Sequence, residues 1–85
     1  MRELDSVVLT TDLPEHGLER GDVGTIVLAH RGCKGYEVEF VALDGETVAV
    51  VSVLPAQVRA IRRREIAHAR AVPAAPVAPA HYDHA

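Results

Sequence analysis

Tyr36-Glu37-Val38-Glu39-Phe40-Val41 is the stretch whose pattern decides the fold. Successive side chains of an extended chain point to opposite faces, so Tyr36, Val38 and Phe40 share one side while Glu37 and Glu39 share the other. A strand with one apolar and one acidic face is half-buried and antiparallel. Asp44-Gly45 follows, a pair suited to a hairpin turn because glycine reaches positive φ without a steric penalty. The next run, Glu46-Thr47-Val48-Ala49-Val50-Val51-Ser52-Val53, is dense in β-branched residues and predicts the returning strand.

The same reading extends outward. Residues 23–30 predict a strand, and Gly24 within it predicts a bulge or a close backbone approach. Residues 31–35 form a turn. Residues 5–10 predict the first strand, and a polar loop with Pro14, Gly17 and Gly21 separates it from the second. Downstream, Leu54-Pro55-Ala56-Gln57 predicts a single helical turn, and residues 58–61 a short last strand. Curling five short strands into a barrel removes exposed edges. The expected fold is therefore all-β: a small five-stranded SH3-like barrel over residues 1–61, followed by an arm over residues 62–85. Residues 59–71 are rich in helix formers, so a helix there, packed on an open sheet, is the alternative. Its apolar face would be narrow, chiefly Ile61 and Ile66, so alone such a helix would be marginal. Pro73, Pro76 and Pro79, three residues apart, favour an extended polyproline rod. The arm is thus expected to be helical at first or extended throughout.

A chain of 85 residues makes one small domain with no room for a deep substrate pocket, which argues against an enzyme and against a cofactor. Hydrophobic residues are 48% but aromatic ones only 4%, so the core must rest on Val, Leu, Ile and Ala. Cys33 is the single cysteine and has no partner for an internal disulfide. A secretory leader and a bilayer-spanning run are both missing, so a cytoplasmic chain without a membrane partner is expected. Residues 1–57 hold four Lys+Arg against ten Asp+Glu, whereas residues 58–85 hold five Arg against two acids. An acidic body repels phosphate backbones, which disfavours nucleic acid as its target.

The run from Leu4 to Leu18, Leu-Asp-Ser-Val-Val-Leu-Thr-Thr-Asp-Leu-Pro-Glu-His-Gly-Leu, continues into Gly21-Asp22-Val23-Gly24-Thr25-Ile26-Val27. Together with Tyr36–Phe40 and Asp44-Gly45-Glu46-Thr47, it resembles a family of short bacterial proteins catalogued as domain of unknown function number 4926. The resemblance covers about residues 4–61 and leaves out the tail. It implies a small SH3-like barrel and no particular activity. It also implies toxin–antitoxin-like gene pairs for some members, and a more distant similarity to accessory domains of nitrile hydratase-type enzymes. Both associations imply a protein partner, either a larger enzyme subunit or a toxin.

Candidate chemistry is sparse. His16, His30, His68, His81 and His84 fall in no catalytic or metal motif. His81 and His84 around Asp83 could make only a weak metal site, because a structural zinc site wants about four ligands on a fixed frame. Cys33 stands beside Lys34 in the 31–35 turn, with no resolving cysteine in the chain. Asp12, Glu15, Glu19 and Asp22 crowd one loop and suit either a solvated face or a basic partner. Arg62, Arg63 and Arg64 could meet an acidic protein or nucleic acid, but no aromatic interleaves them as a base-stacking platform. Arg70, Pro73 and Pro76 have the spacing of a proline-rich ligand. Tyr82 could anchor the tail, since a tyrosine offers apolar area with a polar tip. The expected function is a non-enzymatic protein-binding module. It would be a small accessory protein docking through the barrel and arm, with Ile61, Arg62, Arg63, Arg64, Ile66, Arg70, Pro73, Pro76 and Tyr82 as partner-binding residues. The rivals are an antitoxin-like partner of a neighbouring toxin and a weak metal-binding or nucleic-acid-binding protein.

Overall fold

Five strands form the domain in the computed structural model, which describes residues 1–73: β1 (Ser6–Leu9), β2 (Val23–Ala29), β3 (Tyr36–Val41), β4 (Thr47–Val53) and β5 (Val58–Ala60). All pairings are antiparallel, in the order β4-β3-β2-β1-β5. The long β1–β2 loop and the short 3-10 turn at Pro55–Gln57 complete the SH3-like barrel arrangement that the sequence predicts.

The alternation in β3 sets the core. Tyr36, Val38 and Phe40 are buried and pair with Val53, Val51 and Ala49 of β4. Gly45 takes φ +98° in the turn between the strands, and the Ala42 N–H donates to the Glu46 carbonyl at 2.8 Å. Val7 and Leu9 of β1, Ile26 of β2, Val58 of β5, and Leu13 and Leu18 of the β1–β2 loop fill the rest of the core.

Two bulges curl the sheet around this core, since an extra residue bends its strand and tightens the twist. On β2, Ile26 faces Val38 and Leu28 faces Glu37, which leaves Val27 extra. On β4, Phe40 faces Ala49 and Val41 faces Thr47, which leaves Val48 extra. Both bulges switch which side of the strand turns inward, so Ala29 and Val48 pack against the core. Gly24 is not at a bulge. A Cβ there would lie 2.5 Å from Val38 Cγ1 and 2.8 Å from Phe40 Cε1, so glycine leaves the room these two side chains occupy.

The barrel seam is sewn by hydrogen bonds. Thr10 N–H donates to the Gln57 carbonyl at 2.8 Å, and Thr10 Oγ1 donates to the Ala56 carbonyl at 2.7 Å. Gln57 Oε1 accepts from the Leu54 N–H at 2.7 Å and ties off the 3-10 turn.

The helix considered for residues 59–71 does not form. β5 ends at Ala60, a turn follows at Arg63-Arg64, and the chain then runs without helix to Pro73. The narrow Ile61/Ile66 stripe could not bind a helix to the barrel, and Ile66 is 92% exposed.

Candidate functional site

Local ion pairing decides how the chain leaves β5. Arg59 donates from Nη1 to Glu65 Oε1 at 3.0 Å and from Nη2 to Glu65 Oε2 at 2.7 Å, a two-pronged carboxylate contact. Glu65 Oε1 also accepts the Arg62 N–H. These contacts close residues 60–65 into a turn in which Arg64 adopts φ +62°, a left-handed conformation unusual for a residue with a Cβ. The hydrogen bonds from Arg59, then that from the Arg62 N–H, draw the Glu65 pKa down to about 2. Arg62, Arg63 and Arg64 are left exposed, with Ile61 before and Ile66 beyond them. The structure therefore gathers five of the expected partner-binding residues on one braced turn.

Arg70 goes elsewhere. Its Nε donates to Asp22 Oδ1 at 2.9 Å, and its Nη2 donates to the Gly17 carbonyl at 3.0 Å and to Asp22 Oδ2. Glu19 Oε2 lies 3.6 Å from Nη1. Partial burial alone would raise the Asp22 pKa. The Arg70 hydrogen bonds, the Glu19 N–H and the Arg70 charge together outweigh it and hold the carboxyl below its ordinary value. The acidic β1–β2 loop thus engages the basic arm of its own chain. Pro73 lies beside it, lining a groove of about 330 Å³ with Asp12, Pro14, Gly17, Leu18 and Glu19. Pro76 and Tyr82 lie outside the described residues, as do His81 and His84.

One cluster escaped the sequence reading. Glu37 Oε2 accepts from Ser52 Oγ and contacts His30 Nε2 at 2.8 Å. Those hydrogen bonds, from Ser52 first and then from His30, hold the Glu37 pKa below its ordinary value. Leu28, Glu37 and Ser52 stand opposite one another across β2, β3 and β4, and His30 follows just past β2. Only the strand register reveals this, because the three residues are far apart in sequence. The serine hydroxyl points to the carboxylate rather than to the imidazole, and Glu37 Oε2 is the atom that both Ser52 and His30 share. Among the described residues, no three His, Cys, Asp or Glu side chains converge as a metal site, and no helix is long and apolar enough to cross a membrane.

No curated protein and no solved structure matches the chain. Residues 3–60 match the family described as Domain of unknown function (DUF4926), a span that ends with β5 and excludes both the basic turn and the arm. The chain belongs to the DUF4926 family.

Proposed function

We propose that the chain is a non-enzymatic protein-binding module, a small accessory protein that docks on a larger protein bearing an acidic patch. The supporting observation is the turn closed by Arg59 and Glu65, which presents three adjacent guanidinium groups next to the open side chain of Ile66. Ordering a turn on binding costs conformational entropy, and bracing it beforehand lowers that cost. The arginines steer an acidic partner and set the register, while covering Ile66 contributes about 1.5–3 kcal/mol.

A pull-down with the full chain, read by mass spectrometry and nucleic-acid staining, tests the reading against two variants that leave the core intact. These are Ile66→Asp and the triple Arg62→Glu/Arg63→Glu/Arg64→Glu. One protein captured in stoichiometric amount by the full chain, and lost from both variants, is expected. Undiminished capture by both variants, or recovery of nucleic acid in place of protein, would overturn it.

A further inference from the structure

Asp22 is positioned to receive a guanidinium independently of Arg70. Its N–H donates to the Glu19 carbonyl at 3.0 Å, its carbonyl accepts the Leu9 N–H at 2.9 Å, and its Oδ2 accepts the Glu19 N–H at 2.8 Å. The carboxylate is thus fixed by β1 and by its own loop. Asp12 supports the same loop, accepting the Arg20 N–H at 2.8 Å. Gly17, at φ +71°, turns its carbonyl to the same point. Two carboxylate oxygens and one carbonyl, with Glu19 behind them, match the planar donor fork of an arginine better than the single ammonium of a lysine. A guanidinium, that of Arg70, is in fact seated there. Arg70 is followed by Ala71-Val72-Pro73, and Pro73 reaches the groove that opens beside the clamp.

Residues 61–69, which join this segment to β5, are exposed throughout. So short a tether holds Arg70 near the clamp at an effective concentration of about a millimolar. We propose that the clamp of Asp22, Gly17 and Glu19 is a docking site for an Arg-Xaa-Xaa-Pro segment of a partner protein, and that Arg70–Pro73 fills it in cis as a built-in competitor. The partner's segment docks when it displaces the arm. The site is separate from the basic turn, so it stands or falls independently of the function proposed above.

The probe is an end-blocked peptide, Arg-Ala-Val-Pro-Ala-Ala-Pro, which copies residues 70–76. It is titrated by NMR into the full chain, the Arg70→Ala chain and a chain ending at Ala69. Both altered chains should bind the peptide with amide shifts at Gly17, Glu19 and Asp22, at an apparent Kd several-fold below that of the full chain. Adding Asp22→Asn to Arg70→Ala should abolish those shifts, and a peptide with lysine in place of arginine should bind several-fold more weakly. The triple Arg62–Arg64 variant should behave as the full chain does. Equal affinity of the full and Arg70→Ala chains for the peptide, absence of binding by both altered chains, or indifference to Asp22→Asn would each overturn the proposal.

Discussion

Gly24→Ala is the sharpest test of how this barrel packs. Gly24 lies outside the positive-φ region, so alanine meets no backbone obstacle there, and the effect comes from space alone. The added Cβ would sit 2.5 Å from Val38 Cγ1 and 2.8 and 2.9 Å from two ring carbons of Phe40, whereas carbon atoms pack best at about 3.5–4.0 Å. Val38 and Phe40 are 0% and 2% exposed, so neither can swing into solvent to make room. Overpacking of this kind costs about 1–3 kcal/mol, offset by about 0.4–1 kcal/mol from the narrower unfolded ensemble of alanine. The midpoints of these ranges leave a net loss of about 1.3 kcal/mol, which for a domain of this size lowers Tm by about 5–10 °C. Thermal and urea denaturation followed by circular dichroism measure it, with the urea m-value unchanged. Shortening Val38 to alanine in the same chain should recover about 0.5 kcal/mol or more of coupling. A Gly24→Ala protein as stable as the parent would refute the packing argument.

The other expectations follow the same logic. Thr10→Val removes the hydrogen bond to the Ala56 carbonyl at the seam and should cost about 0.5–1.5 kcal/mol in urea denaturation. Leu9→Ala opens a cavity at a site 1% exposed and should cost about 2–5 kcal/mol, whereas Ile66→Ala should stay within about 0.5 kcal/mol of the parent; similar losses at both positions would contradict the assignment of core and surface. Glu65 and Asp22 both have pKa values depressed by folding, so what they contribute is complete above their ordinary values of 4.5 and 3.8 and is lost as pH falls through the lower folded values. An NMR titration should show the Arg62 amide moving between pH 4.5 and about 2 as the Arg59–Glu65 contact opens, the Arg70 Nε–H resonance changing as Asp22 protonates, and neither signal responding to these carboxyls between pH 5 and 8.

The two charged halves of the chain meet in one contact and separate in another. Arg70 crosses to the acidic loop and is taken up there, whereas Arg62–Arg64 remain exposed. A module with one charge cluster satisfied internally and another presented outward has a defined electrostatic face despite a net charge of only −3.

Much of the fold is legible in the chain alone, because local rules agree along it. The period-two pattern of Tyr36–Val41, the Asp44-Gly45 turn, the valine-rich return strand, the apolar runs over residues 5–10 and 23–30 and the Pro55 turn place all five strands and the 3-10 turn at Pro55–Gln57 within a residue or two of where they lie, while the 3-10 turns at Pro14–His16 and Arg31–Cys33 lie in segments read only as loop and turn. Those signals are short-range: side-chain alternation, glycine conformation and β-branching act within a few residues. The tertiary structure alone decided the rest. The bulges at Val27 and Val48 depend on the register of facing strands, and the space kept at Gly24 on two side chains of β3. The His30–Glu37–Ser52 cluster needs three aligned strands. The choice of turn over helix after β5, and the seating of Arg70 on Asp22, rest on ion pairs spanning 6 and 48 residues. A sequence declares that such charges exist; only the folded backbone brings an arginine and a carboxylate within hydrogen-bonding distance, because their attraction in water falls to about 1 kcal/mol at 4 Å and cannot by itself choose a partner.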